Sequence, residues 1–318
     1  MSHVLVTGAN GFVGRALSRA LIGDGQTVTG IARQPDSCEA GVDEWINTST
    51  DFVNLAKAWP PTLKPDCVIH LAARVHVLHE DTADPEAAFR ATNVEGALRV
   101  AETAHQFGVR RMVFVSSIKA VGERDSGYPL REDDLPSPQD AYGRSKLEAE
   151  QVLVRYGRET GLEVVIIRPP LVYGPEVRAN FLRLLDGVCK GVPLPLSAIR
   201  ARRSLVYIDN LVDALVRCST DPRAAGQCFH VADGNDLTVS ELARAIGKHL
   251  ESPARLFPVP VSWLQMVGRV THRSPQIDRL IQSLQVDTSR IRSVLGWQPR
   301  YSTDDGLAAT ARWYRSTH

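Results

Sequence analysis

A short aliphatic run that leads straight into three glycines spaced G-x-x-G-x-x-G limits the folds open to this chain more than any other feature. Val4-Leu5-Val6 reads as a strand and Thr7-Gly8-Ala9-Asn10-Gly11-Phe12-Val13-Gly14 as a turn. Ala16, Leu17, Ala20 and Leu21 then mark one face of a helix. Strand, glycine turn and helix in that order make a pyrophosphate cradle, because glycines let the backbone approach the phosphates while the helix N-terminus supplies N–H groups and a positive dipole end. Dinucleotide binding by Gly8, Gly11 and Gly14, with Asn10, Phe12 and Val13 in the same turn, is the expectation.

The next strand, 27–31, ends in Ala32-Arg33, where an NAD-preferring site usually places an acid on the adenosine ribose. Without that acid a 2′-phosphate is not repelled and the Arg33 fork can grip it, so NADP is expected. The alternative is a solvated Arg33 and a site that takes NAD as well. Further alternation follows: a weak strand near 44–46, a helix at 51–58, then Asp66-Cys67-Val68-Ile69-His70-Leu71-Ala72-Ala73. Leu71, Ala72 and Ala73 would let a cofactor lie across the strand end, and His70 reads as structural. A helix over 84–107 precedes an apolar strand, 112–115, that stops at Ser116-Ser117. This places the serines at a strand's carboxyl end, where open α/β sheets bind ligands. Arg74, His76 and His79 lie near the same edge but read as solvated loop residues.

Strands alternating with helices predict an α/β fold, a Rossmann-type doubly wound parallel sheet. The strand at 163–167 ends in Arg168-Pro169-Pro170, where proline cannot continue the ladder. Beyond it the rhythm loosens into a helix at 179–189, a strand at 204–208, a helix at 210–217 and a strand at 227–231. From Leu237 onward short helices are broken by Pro253, Pro258, Pro260, Pro275 and Pro299. The expected division is an NAD(P)-binding domain at 1–170 plus about 204–232. A smaller, mainly helical substrate lobe, about 171–203 and 233–318, is interleaved with it.

Composition excludes several functions. Formal charge is +1 and no block of like charges occurs, so neither nucleic acid nor an anionic membrane is an expected partner. Five cysteines, widely spaced and without C-x-x-C, argue against a disulfide framework and a metal site, and read as buried free thiols. No charged-then-apolar leader and no membrane-length apolar run is visible, so a soluble cytoplasmic protein is expected.

Within Ala141-Tyr142-Gly143-Arg144-Ser145-Lys146 a tyrosine precedes a lysine by four positions, in a stretch predicted helical from 139 to 154. That spacing puts phenol and ammonium on one face. A tyrosine titrates near ~10 in water and a neighbouring ammonium favours the phenolate, which makes a proton-transfer pair. With seven tyrosines in the chain, chance alone can supply the spacing. The cradle and Ser117 upstream are what give it weight.

Gly8, Gly11, Gly14, Ser117, Tyr142 and Lys146, in this order and on these elements, resemble the extended short-chain dehydrogenase/reductase family. Ser116-Ser117, the Tyr-x-x-x-Lys, Arg168-Pro169-Pro170 and Leu295-Gly296-Trp297 bring it closest to the nucleotide-sugar branch around UDP-galactose 4-epimerase. The resemblance implies that Tyr142 exchanges a proton with a sugar hydroxyl or ketone while nicotinamide exchanges the hydride. Lys146 would hold the nicotinamide ribose and lower the Tyr142 pKa, Ser117 would bind the reacting oxygen, and Pro169 would touch the cofactor. Asn180, with Phe181 and Leu182, and Arg203 match diphosphate-binding positions. Arg279, beside Asp278, matches a further phosphate or ribose contact.

Two departures matter. Ile118-Lys119 stands where nucleotide-sugar dehydratases carry an Asp-Glu acid and base, which disfavours dehydration, and Val121 replaces a pocket tyrosine before Gly122. The expected enzyme is an oxidoreductase acting at carbon 4 of a UDP-sugar. First preference is a reductase of a UDP-4-keto-6-deoxy-N-acetylhexosamine, and the alternative is a UDP-hexose or UDP-N-acetylhexosamine 4-epimerase. A non-catalytic dinucleotide sensor is disfavoured because Tyr142 and Lys146 are both present. By the same resemblance, helices 84–107 and 139–156 would pair two copies as a homodimer.

Overall fold

The computed structural model describes residues 2–75, 84–271 and 274–318. Eleven strands occur among them: β1 His3–Thr7, β2 Thr27–Ala32, β3 Asp43–Ile46, β4 Cys67–His70, β5 Arg111–Val115, β6 Glu163–Arg168, β7 Leu171–Tyr173, β8 Arg202–Arg203, β9 Leu205–Tyr207, β10 Cys228–His230 and β11 Leu237–Thr238. Seven form one sheet in the order β10-β6-β5-β4-β1-β2-β3, with every pairing parallel. Parallel strands covered on both faces must be apolar throughout, and Val4, Leu5 and Val6 are each at most 1% exposed.

Side chains of one strand alternate between two cores. Val4, Val6, Ile69, Val113 and Val165 pack with Leu17, Leu21, Leu211 and Leu215 on one face. Leu5, Val68, Met112, Phe114 and Ile166 pack with Val100, Ala149 and Leu153 on the other. The chain leaves the sheet at edge strand β3 and returns at β4 on the far side of β1. The order thus reverses beside β1, opening a crevice at the carboxyl ends of β1 and β4.

The glycine turn fills the start of that crevice. Gly8 has φ +68, and a Cβ there would lie 3.0 Å from the Ala72 nitrogen, while a Cβ on Gly14 would stand 2.1 Å from the Gly8 carbonyl oxygen. Only glycine fits this tight stack of turn, helix Phe12–Gly23 and β4 end. A helix of the expected length does run over 84–107, capped by Asp84 accepting from Ala87 N at 3.0 Å. Its middle widens into a π-turn at Ala91–Gly96. The helix expected at 139–154 is Ala141–Thr160, closed by Gly161 at φ 84.

Two expectations need correction. The helix at 51–58 is instead two short turns, Thr50–Phe52 and Leu55–Ala58, because Asp51 and Phe52 adopt φ of 51 and 60. The cysteines are free, but only Cys67 and Cys218 are buried; Cys38 and Cys228 are half-buried and Cys189 is exposed.

The C-terminal third is helical as expected, with Val239–His249, Val261–Val270, Ser274–Ile281, Ser289–Leu295 and Thr303–Thr317. It packs back onto the first domain at two points. Leu130 N donates to Gln285 O and Asp287 N to Leu130 O, both at 2.8 Å, and Leu284 and Val286 pack on Ile118 and Val121. Trp297 Nε1 donates to Asp213 Oδ2 at 2.7 Å, fixing Leu295-Gly296-Trp297 on helix Ile208–Thr220.

Candidate active site

The crevice floor ends in a serine, a tyrosine and a lysine that the structure brings together. β5 stops when Ser116 N donates to Ile167 O at 2.8 Å. Ser117 then caps the short turn Ile118–Ala120, its Oγ accepting from Lys119 N at 3.3 Å, and it stands where it favours ionisation of the Tyr142 phenol. One turn on, Lys146 is 2% exposed. Its Nζ donates to Val115 O at 2.9 Å, 4.6 Å from the centre of the Phe114 ring and 6.0 Å from that of Tyr142.

Electrostatics correct one expectation. Desolvation pushes the Tyr142 phenol up to about 12, with the Ser117 hydrogen bond pulling down and the Asp140 charge adding to the rise. Lys146 was expected to depress it, but burial lowers the Lys146 ammonium itself to about 7, against the opposing pull of Glu150. An ammonium that loses its proton near neutrality is a weaker electrostatic partner.

Around this trio lies an ion cluster. Lys119 Nζ is 2.5 Å from Asp140 Oδ2 and 3.2 Å from Glu123 Oε1. Arg279 Nε reaches Glu123 Oε2 at 2.9 Å and its NH2 reaches Asp140 Oδ2 at 3.4 Å. Asp140 Oδ1 also accepts from Gly143 N at 2.7 Å, capping the Tyr142 helix. Arg279, expected at a phosphate, is therefore held by two carboxylates. Arg203, expected at the diphosphate, donates to the carbonyls of Arg279 and Gln282, and burial lowers its pKa. Asn180 is exposed at the start of helix Ala179–Cys189 and accepts from Arg183 at 3.5 Å. Val121 is 2% exposed and packs with Ile118, Leu284 and Val286.

Lys119 offsets the Asp140 charge that opposes Tyr142 ionisation. In Lys119→Met the midpoint of the pH–rate profile for alcohol oxidation should rise by roughly 0.5–1 unit. Lys119→Arg should restore it. An unchanged midpoint in Lys119→Met disposes of this role.

Two residues escaped the sequence reading. Asn93, 1% exposed in the π-turn, takes Arg74 N at 2.8 Å and donates to Arg74 O at 3.1 Å and to Ser145 Oγ at 2.9 Å. Ser145 in turn donates to Tyr142 O at 2.8 Å, so Asn93 ties the segment after β4 to the Tyr142 helix. Its sequence gives little signal, since the amide sits among Arg90, Thr92 and Glu95 in a helical stretch that is already mixed in polarity. Glu44 is the other: its carboxylate accepts from Asp36 N at 2.7 Å, Ser37 N at 2.8 Å and Cys38 N at 2.6 Å. The acid missing from the end of β2 thus stands on neighbouring β3, spent on the turn that follows exposed Arg33.

His70 Nδ1 bonds Thr7 Oγ1 at 2.9 Å and burial holds the ring down at about 3, a neutral structural histidine. Leu71 N and Ala72 N bond Thr7 O and Thr7 Oγ1, both at 3.2 Å, closing the β4 end onto the glycine turn. Pro169 O accepts from Ile118 N at 3.0 Å beside Ser117. Asn10 Nδ2 reaches Ser37 Oγ at 3.4 Å. His76 and His79 lie outside the described residues. Among the described residues no cluster of His, Cys, Asp or Glu suits a metal.

A dinucleotide fits this geometry, since the close stacking that Gly8 and Gly14 permit sets the turn and the N-terminus of helix Phe12–Gly23 at the carboxyl ends of β1 and β4, where backbone N–H groups can meet a pyrophosphate. The chain is 40% identical over 316 residues to a UDP-glucose 4-epimerase of Vibrio cholerae, covering 97% of this chain and 94% of that protein. It is 30% identical to a UDP-glucose 4-epimerase of Mycolicibacterium smegmatis over 99% of both. The solved UDP-glucose 4-epimerase of Thermotoga maritima superposes with a TM-score of 0.81 at 23% identity, covering 99% of each chain, which shows a shared fold. A model of the NAD dependent epimerase/dehydratase family matches residues 4–232. Agreement of that extent, over the cradle, the sheet and the Tyr142 helix alike, makes this chain a member of the NAD dependent epimerase/dehydratase family.

Proposed function

We propose that this chain interconverts the two configurations at carbon 4 of a UDP-linked hexose or N-acetylhexosamine. The observation that carries the reading is the Ser117–Tyr142–Lys146 group at the strand ends, next to a dinucleotide cradle and lacking the carboxylate pair that dehydration needs. The cofactor, held by Gly8, Gly11 and Gly14 with Asn10, Phe12 and Val13, would supply a hydride acceptor and donor at carbon 4. Leu71, Ala72, Ala73 and Pro169 would flank its nicotinamide half. Tyr142 takes the proton of the sugar 4-hydroxyl on oxidation and returns it on reduction. Ser117 orients that oxygen, and Lys146 orients the nicotinamide ribose. Asn180, Arg203 and Arg279 would reach the diphosphate once the two arginines exchange their present partners for it. Names of the relatives above support UDP-sugars as substrates.

A second reading, a 4-ketoreductase of a UDP-4-keto-6-deoxy-N-acetylhexosamine, draws support from Arg33, exposed and without an ion-pair partner among the described residues. Such an enzyme consumes and releases NADPH. Two incubations separate the readings: UDP-galactose or UDP-N-acetylglucosamine alone, and the 4-keto sugar with NADPH. Epimer without net cofactor oxidation supports the first; stoichiometric NADPH loss without epimer overturns it. Arg33→Ala should weaken NADPH binding by roughly tenfold and leave NADH binding unchanged, read by nicotinamide fluorescence. Equal losses for both cofactors would remove Arg33 from the 2′-phosphate. A homodimer built on helices 84–107 and 139–156 remains part of the proposal, and light scattering tests it.

A further inference from the structure

The helix Val261–Val270 is built outside in. Its sequence, VSWLQMVGRV, buries only Leu264 and Gly268. Leu264 packs with Leu196, Ile199, Ala201 and Val239, and Gly268 lies so close to Ile277 of the next helix that a Cβ would stand 2.9 Å from its Cγ1. Trp263, Met266, Val267 and Val270 are 63, 54, 51 and 76% exposed. At i, i+3, i+4 and i+7 they form one continuous stripe. An amphipathic helix normally turns such a stripe inward. Here the inward edge is already taken.

Charge along this stretch of the sequence, between Glu251 and Asp278, is one-sided. Between residues 252 and 277 there is no Asp or Glu, whereas Arg255, Arg269 and Arg273 all fall there, in a chain whose total is +1. Arg255 and Arg269 are exposed. The whole-chain balance, which argues against an anionic-membrane footprint, averages this segment away. We propose that the stripe, with its arginine flank, is a docking surface for an anionic phospholipid bilayer. Aliphatic side chains enter the acyl boundary, the Trp263 indole sits at headgroup level, and arginines extend toward lipid phosphates. Contact is peripheral, since among the described residues no helix is long and apolar enough to cross a membrane. The next helix, Ser274–Ile281, carries Arg279 to the carboxylates beside Tyr142, so a docked protein presents its substrate lobe to the bilayer surface.

The test is co-sedimentation of the full chain with vesicles of phosphatidylglycerol and phosphatidylethanolamine, against vesicles of phosphatidylcholine alone. Recovery on the anionic vesicles should exceed that on phosphatidylcholine by roughly tenfold and fall at high salt. Met266→Glu with Val270→Glu, and separately Arg269→Glu, should each reduce recovery by roughly tenfold while thermal unfolding stays unchanged. Brominated lipid should quench fluorescence in the parent, and Trp263→Phe should abolish that quenching while the protein still sediments. Equal recovery with and without anionic vesicles overturns the proposal. So does a glutamate variant that converts a dimer to a monomer with vesicle recovery unaffected, which would give the stripe to a second copy of this chain. Retained recovery in the double glutamate variant overturns it as well.

Discussion

Tyr142→Phe should lower turnover of every UDP-sugar substrate by roughly 10²–10⁴-fold, the usual yield of a positioned proton donor or acceptor, and leave cofactor affinity within a few-fold. The phenylalanine keeps the edge contact with Phe89, whose ring centre lies 6.2 Å from that of Tyr142. It loses only the phenolic hydroxyl, the group whose ionisation Ser117 favours. Since desolvation holds the phenol protonated at neutral pH, with its pKa at about 12, the protein rests as a proton donor, poised for ketone reduction. Alcohol oxidation needs the opposite state, so its rate should climb with pH across the neutral and alkaline range while the reductive rate stays flat or falls. Turnover in Tyr142→Phe within fivefold of the parent would falsify the assignment. Loss of cofactor binding along with activity would point to a structural role for the ring.

Glu150→Ala should be the most damaging of the stability variants. Arg168 and Glu150 are 7% and 4% exposed and meet through contacts of 3.0, 3.2 and 2.6 Å, with Arg168 NH1 donating onward to Glu132 O at 3.1 Å. Removing the carboxylate leaves a guanidinium buried without its counter-charge, a loss of about 3–5 kcal/mol. Replacing both partners, as in Glu150→Met with Arg168→Met, should cost far less, because no charge is then stranded. Urea titration of the two singles and the double measures the difference. A Glu150→Ala cost below about 1 kcal/mol would mean that the pair does not constrain the fold. Glu150 also supports the ammonium of Lys146 one turn away, so the variant should deprotonate Lys146 at lower pH.

The parallel sheet was legible because its strands are short apolar runs between turn signals, and each was found within a residue or two of the expected place. The Tyr142 helix was legible from the run at 139–154, and Gly8 and Gly14 from the strand and helix that flank them. What stayed hidden depends on partners distant in sequence. Asn93 meets Arg74 and Ser145 across 19 and 52 residues, and nothing local marks it except its polarity. Glu44 reaches the turn after β2 only because β3 lies alongside. The present partners of Arg203 and Arg279 were hidden for the same reason: a cation's partner is chosen by the fold, and Arg279 lies against carboxylates from residues 123 and 140. Lys146 lost its expected leverage over Tyr142 to burial, a quantity that the spacing of the two residues does not contain.

The seventh strand of the sheet has a consequence for synthesis. β10 covers the open edge of β6 through Cys228↔Ile166, Phe229↔Ile167 and His230↔Arg168, yet it leaves the ribosome roughly sixty residues after β6 does. At about 5–20 residues per second the nascent sheet waits about 3–12 s with an unpaired parallel edge. Such an edge is a template for other chains. Crowded polysomes and slow codons between β6 and β10 therefore bear directly on how much of this protein reaches its native state.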